Sequence, residues 1–231
     1  MNQMQEKLDF LLNKYSVGTT ATLVDRQTVT VEGRCLPLLS HRRERRFTEL
    51  RNLVQNGTLQ DVSVIRVARV VSAGTDLYEV LYRELDLCQY LLERRIVSVM
   101  TMENGPVMNL IATTTDGVVC TIELAATLRS GEKPKDKHEI IACRGTACDV
   151  VVDAQLKQDS IYVFGAESNQ KYTDVDFELY GLSIEDIAVV RAAFAVARDK
   201  NADELTAIHN NLQALVALAR KSAASGEREV L

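Results

Sequence analysis

The sequence predicts an α+β fold: an open, mainly antiparallel sheet with helices packed on one face. Three observations carry this. An amphipathic helix over Thr75 to Glu93 repeats Leu77, Leu81, Leu85, Cys88 and Leu92 at spacings of three and four. Its charged residues Asp76, Glu79, Arg83, Glu84 and Asp86 are assigned to other faces. A meander follows at Ile96–Met102, Val107–Thr114 and Val118–Thr127, punctuated by Asn104-Gly105 and Asp116-Gly117, pairs that suit tight hairpin turns. In the third strand Val118, Cys120, Ile122, Leu124 and Ala126 alternate onto one continuously apolar face, the side that packs on helices. The second face carries Met100, Met102 and Val119. It is too apolar for a plainly wet surface and predicts a homo-oligomer contact.

The totals set the class. A chain of 231 residues, 46% apolar and 26% charged, is long enough to bury a real core, as one large domain or two small ones. The net charge of −5 gives no overall pull toward nucleic acid or an anionic membrane. No apolar run approaches the roughly 20 residues that span a bilayer. Met1 to Lys7 lacks a basic flank followed by an apolar block, so no secretory signal is expected. Five scattered cysteines without a C-x-x-C pair read as reduced, mostly buried thiols of a cytoplasmic protein.

The remaining elements follow in chain order. Asn2 to Tyr15 is an amphipathic helix with Met4, Leu8, Leu11 and Leu12 on one side, ended by Gly18. Thr19 to Val31 is rich in Thr and Val and predicts a strand or a hairpin turning near Asp25-Arg26. Arg34 to Leu39, with Pro37, is expected to be irregular. His41 to Gln55 is a second helix with Phe47, Leu50 and Val54 inward, closed by Asn56-Gly57. Its start, His41 to Arg46, is the one dense basic run. It reads either as an anion or phosphate contact or as a solvated helix face partly neutralised by Glu44, and charge runs favour the second.

Asp61 to Ser72 is a strand. Arg129 to Lys137 is a polar loop, and three further strands are expected at His138–Arg144, Ala147–Asp153 and Ser160–Gly165. Tyr172 to Tyr180 reads as a polar-aromatic connection. Leu182 to Asp199 is a helix with Ser183 as N-cap and Asp186 in its first turn. A last helix runs from Asp203 to about Ala224, and the charged tail after Gly226 is expected to fray.

Motifs of common chemistry are missing. A Rossmann site needs glycines two apart so that the backbone can approach a pyrophosphate. The nearest pair here is Gly105 and Gly117, and there is no P-loop. His41, His138 and His209 are isolated, without metal-ligand spacing, and each reads as a surface or packing residue. There is no G-x-S-x-G, and no cysteine has a context that lowers its pKa. Glu79 and Arg83 sit four apart, which suits an ordinary helix ion pair more than a pair aimed into a cleft.

A resemblance adds to this. Phe47, Leu50-Arg51, Leu53-Val54, Gly57, Leu59 and Val62 open a pattern that continues through Leu77, Leu81, Leu85-Asp86-Leu87 and Tyr90-Leu91-Leu92. Val97-Ser98-Val99 and Asp116-Gly117 to Ile122-Glu123 extend it. In this order they resemble the C-terminal domain of the Gfo/Idh/MocA oxidoreductases. His138 to Ile141 with Arg144-Gly145 is similar to a later strand of that family, and Leu212 to Gly226 to its closing helix.

The resemblance implies a boundary near residue 38. Residues 1–37 would be a short helix and strand segment, a Rossmann remnant, and 38–231 the α+β domain. It also places the family's Asp-x-x-x-His, whose His is the proton-transfer group, on Glu79 and Arg83 when aligned on Asp86. Arginine stays protonated and cannot act as a general acid or base. Glu132-Lys133-Pro134 spells the family's catalytic tripeptide but lies after the meander, which reads as coincidence.

The expectation is therefore a non-catalytic, cofactor-free relative acting as a ligand-binding or assembly protein, holding a small polar ligand near Glu79, Arg83 and Asp86. The alternative is the substrate-side subunit of an NAD(P)-dependent sugar or polyol oxidoreductase whose Rossmann domain sits on another chain. A third reading, a hydrolase or lyase using Glu79, Glu123 or Asp86, is weaker, because scattered carboxylates are usually solvated or paired.

Overall fold

The structure is a computed structural model that describes residues 1–153, 157–165, 168–173, 178–179 and 181–231. In chain order the elements are α1 (Asn2–Lys14), β1 (Ala21–Leu23), β2 (Thr28–Val31), β3 (Arg34–Pro37), a 3-10 turn (Ser40–Arg43), α2 (Arg45–Gln55), β4 (Gln60–Ser72) and α3 (Leu77–Leu92). Then come β5 (Ile96–Asn104), β6 (Val107–Thr114), β7 (Val119–Leu128), β8 (Lys135–Asp153), β9 (Lys157–Phe164), β10 (Asn169–Thr173), α4 (Ile184–Asp199), α5 (Ala202–Ser225) and β11 (Glu229–Val230). The chain divides into two compact units, Met1–Thr48 with Val175–Asn211 and Glu49–Asp174 with Leu212–Leu231.

In the first unit α1 packs on α4, burying Met4, Leu8 and Leu11 on the one helix and Ile187, Val190 and Ala193 on the other. The β1–β2 hairpin turns where expected, and Asp25 ties the turn by accepting from the Gln27 N–H and the Thr28 hydroxyl, both at 2.7 Å. Arg34 to Pro37 is a strand, not irregular chain. It pairs with β2, Val29 opposite Leu36, and Pro37 stands at its last position. The expected helix from His41 is broken at Glu44, whose backbone is extended (φ −64°, ψ 128°). Its carboxylate is buried and holds Arg46 Nε at 2.8 Å, which fixes the break. The α4 cap is as read: Ser183 Oγ accepts from the Asp186 N–H at 3.1 Å.

The second unit is built on an eight-stranded sheet, ordered β10-β9-β8-β4-β7-β6-β5-β11 among the described residues. β4 and β7 are parallel and every other neighbouring pair among the described strands of this sheet is antiparallel, so the open, mostly antiparallel α+β fold class holds. α3 packs on β7, and Asp76 caps it by accepting from the Tyr78 N–H at 2.8 Å. Cys120, Ile122 and Leu124 of β7 and Met108, Leu110 and Ala112 of β6 are buried, as the alternation predicts. On the other face Met102, Val107 and Ile111 are exposed, and Met100, Ile111 and Thr121 form one row across three strands.

Two further differences from the sequence reading concern backbone continuity. The strands expected at His138–Arg144 and Ala147–Asp153 are one run, β8. Its first part pairs with β4 and its second with β9. The backbone N–H of His138 donates to the Asp149 carboxylate, eleven residues on. A straight strand would put these residues about 36 Å apart. The run therefore folds back on itself, and Gly145 (φ +114°) supplies the left-handed backbone this requires. The tail does not simply fray. β11 pairs with β5, Glu229 opposite Val99, because β5 would otherwise leave its outer edge unpaired. Of the connection expected over 172–180, residues 174–177 and 180 lie outside the described residues. No described helix is long and apolar enough to cross a membrane. The described cysteines are free; Cys88, Cys120 and Cys148 are buried, whereas Cys35 and Cys143 are exposed.

A Cβ at residue 145 would meet Leu59 Cδ2 at 3.3 Å and sit on left-handed backbone. Gly145→Ala is expected to cost about 1–3 kcal/mol, read as a lowered urea midpoint with the slope unchanged.

Candidate functional site

The sequence stripe that opens the chain's inner face on α3 contains a charge. Leu77, Leu81, Glu84, Cys88 and Leu91 follow one another at spacings of four and three, and all five are buried. On β4 the inward phase runs Ile65, Val67, Arg69, Val71. On β8 it runs Asp136, His138, Ile140, and the fold-back adds Asp149. Each element thus breaks an apolar phase with an ionisable residue, and the second unit brings these breaks together.

His138 is the centre. Its Nε2 lies 2.8 Å from Glu84 Oε2 and its Nδ1 lies 2.8 Å from Asp149 Oδ2. His138 and Glu84 are fully buried. Glu84 Oε1 accepts from Arg83 Nη1 at 2.5 Å and stands 3.6 Å from Arg69 Nη1. Asp136 pairs with Arg69 at 2.8 Å and approaches Arg83 at 3.8 Å. The strand register sets Arg69 directly opposite Asp136. Three carboxylates (Glu84, Asp136, Asp149) meet three cations (Arg69, Arg83, His138).

The protonation states follow from this geometry. Burial disfavours a charged imidazole, but the carboxylates of Asp149 and Glu84 outweigh it and push His138 up to about 9. Burial would likewise raise the Glu84 carboxyl, yet Arg83, His138 and Arg69 hold it well below the usual carboxylate range. His138 is thus an imidazolium at neutral pH and Glu84 a carboxylate. An imidazolium clamped on both nitrogens is a poor proton shuttle, because neither nitrogen is available to exchange with a substrate.

Asp136, His138 and Asp149 also present three ligand atoms within 4.8 Å of one another. Their donor atoms are already taken up by cations: Arg69 and Arg83 on Asp136, His138 on Asp149. A divalent ion would have to displace the imidazolium proton and overcome two guanidinium charges. The set fits a charge-compensated network better than a metal centre.

The residues singled out from the sequence fall in three environments. Arg83 is in the network, and its partners include Glu84 and Asp136 rather than Glu79. Asp86 is fully buried. Glu79 is exposed. Assigning Glu84 and Asp86 to outward faces of α3 is corrected: both are buried, because this helix is covered on more than one side. Glu84, His138, Asp149, Asp136 and Arg69 were missed as a group. Their signal was a charged residue standing in phase with an apolar stripe.

At the start of α3, Tyr78 donates its hydroxyl to Glu103 at 2.7 Å and lies under the Arg220 guanidinium, 3.7 Å from the ring centroid. Burial and the Glu103 hydrogen bond push the phenol up to about 12. Cys88 is raised as well, by its hydrogen bond with Cys120 and by burial, so it is no nucleophile at neutral pH.

No family model matches the chain, and no curated protein matches it. Solved structures do. An oxidoreductase domain protein from Kribbella flavida aligns with TM-score 0.64 and 12% identity, over 83% of this chain and 65% of that one. A myo-inositol dehydrogenase from Corynebacterium glutamicum aligns with TM-score 0.62 and 15% identity, over 84% and 63%. An oxidoreductase from Agrobacterium radiobacter, solved with NAD+, L-tartaric acid and magnesium, aligns with TM-score 0.63 and 14% identity, over 83% and 63%. The chain spans 63 to 65% of the length of these structures. It has the fold of the C-terminal domain of Gfo/Idh/MocA-type oxidoreductases.

His138 contributes stability that is complete below about 6.5 and fades as the pH rises through about 9. Glu84 contributes above about 4.5, and loses its contribution as the pH falls toward its depressed folded value. Denaturation midpoints should therefore fall between pH 6.5 and 10. His138→Gln should flatten that limb and cost about 3–5 kcal/mol at neutral pH by removing the cation that Asp149 and Glu84 share, with Glu84 left to Arg83 and Arg69.

Proposed function

We propose that this chain is a non-catalytic, dinucleotide-free protein built on an oxidoreductase C-terminal fold, acting in ligand binding or assembly. The observation that carries the reading is Arg83. It stands where the resemblance expects a proton-transfer histidine, and its guanidinium is tied to Glu84 and Asp136. No stretch of the 231 residues offers closely spaced glycines for a pyrophosphate. The histidine of the network is itself clamped between carboxylates.

Glu79, Arg83 and Asp86 remain the proposed contacts for a small polar ligand, with Glu79 the exposed member. The proposed assembly is a homo-oligomer through the outer sheet face, supported by the exposed Met102, Val107 and Ile111. Free cysteines, two of them exposed, support a reducing, cytoplasmic location.

One observation favours a second reading. The matched structures extend well beyond the share this chain covers. A Rossmann domain on another chain would then supply NAD(P), with this chain as the substrate side of a sugar or polyol oxidoreductase.

Isothermal titration of NAD+ and NADPH into the pure protein is expected to show no binding tighter than about millimolar. Micromolar binding by the chain alone would overturn the dinucleotide-free reading. For assembly, the native chain should elute from size exclusion as an oligomer, and Met100→Asp with Val119→Asp should elute as a monomer. Unchanged elution of the double variant would count against the sheet-face contact.

A further inference from the structure

The chain carries two Asn-Gly pairs, Asn56-Gly57 and Asn104-Gly105, and one Asp-Gly pair, Asp116-Gly117. In such a pair the glycine's backbone nitrogen can attack the preceding side-chain carbonyl, because no Cβ on the glycine obstructs the approach. The outcome depends on what holds the two reacting groups, and the fold holds the three pairs differently.

Asn56 follows α2. Its Oδ1 accepts from the Thr58 N–H at 2.9 Å, and the Gly57 N–H donates to the Val54 carbonyl at 3.3 Å. Electrophile and nucleophile are both engaged. Asp116 is held more firmly. Its carboxylate accepts from the Thr114 hydroxyl at 2.7 Å and from Arg94 Nε at 2.8 Å, and the Gly117 N–H donates to the Thr114 carbonyl at 3.0 Å. The Thr114 and Arg94 bonds keep the Asp116 carboxyl below the usual carboxylate range, and an ionised carboxylate resists attack.

Asn104 differs from both. It ends β5 at the tip of the hairpin to β6, paired with Val107 across the turn. Asn104, Gly105 and Pro106 are all exposed. Among the described residues nothing bonds the Asn104 side chain or the Gly105 N–H. A Cβ built at residue 105 would meet nothing within 4 Å, so the attacking nitrogen is uncrowded. The Ala126 N–H donates to the Pro106 carbonyl at 2.7 Å, which anchors the turn beyond the reacting pair rather than on it.

We propose that Asn104 is a self-modification site that deamidates through a cyclic imide, in preference to Asn56. The Gly105 nitrogen gives its proton to solvent and bonds to Asn104 Cγ. The Cγ–Nδ2 bond breaks and that nitrogen leaves as ammonia. Water then opens the imide. Opening at Cγ leaves aspartate; opening at the main-chain carbonyl leaves isoaspartate, whose backbone is longer by a methylene. Nothing is oxidised or reduced, and water is the only co-reactant. The new carboxylate stands opposite Val107, in a row that continues to Ala125 and Val70 on the outer sheet face. That row gains negative charge as the molecule ages, whatever ligand or assembly the chain serves.

The test is incubation of the full folded chain in isotope-labelled water at neutral pH, beside the same chain in concentrated urea, followed by peptide mass spectrometry. Labelled oxygen in the new carboxylate marks conversion that occurred during the incubation. In the folded chain the Asn104 peptide is expected to convert about tenfold or more faster than the Asn56 peptide, which must first release two hydrogen bonds. In urea the two should convert at similar rates. Asn104→Gln, whose longer side chain closes a less favourable ring, should remove the acidic satellite that accumulates on ion exchange and leave Asn56 conversion as it was. Equal rates at the two positions in the folded chain, faster conversion at Asn56, a folded chain unconverted at Asn104 while the urea-unfolded chain converts there, or the same preference in urea would overturn the proposal.

Discussion

An imidazolium held between two carboxylates in a dry interior sets the terms for the second unit. Glu84, His138 and Asp149 come from α3 and from both limbs of β8. None of the three could be buried charged without the others. Their pairing fixes where α3 lies on the sheet, and it fixes how β8 returns after Gly145. Arg69 and Arg83 complete the neutralisation and bring in β4 and Asp136. A cluster like this adds little net stability over an apolar replacement, but it tolerates few alternative geometries once it is present.

The same cluster bears on function. Fold likeness alone does not give an activity. A guanidinium in ionic contact with Glu84 and Asp136 can orient an anion or hold two strands to a helix. It cannot relay a proton. The nearest histidine is saturated on both ring nitrogens. In this network Arg83 and His138 hold charge and position the helix against the sheet.

Two basic features of the chain met different fates. Arg69 and Arg83 were drawn into the interior by carboxylates that needed them. Arg43 and Arg198 stayed at the surface. The difference lies in the neighbours. On β4 and α3 each arginine finds an acid across a strand pair or one residue along the helix, whereas Arg198 pairs with the adjacent Asp199 at the surface.

Local pattern determined much of the architecture. Period-two alternation assigned the buried face of β6 and β7, and Asn104-Gly105 and Asp116-Gly117 placed the turns between β5, β6 and β7. The spacing of leucines located α3, and Ser183 with Asp186 located the start of α4. These features depend on residues within a few positions of one another, so one chain suffices to read them. Long-range pairing decided the rest. The parallel contact of β4 with β7, the return of β8, the strand at Arg34–Pro37 and the pairing of the tail with β5 are set by partners far along the chain. So was the charge network: a buried charge can be spotted in sequence by its phase, but its partner is chosen by the fold, which alone settles which opposite charge stands within hydrogen-bond reach.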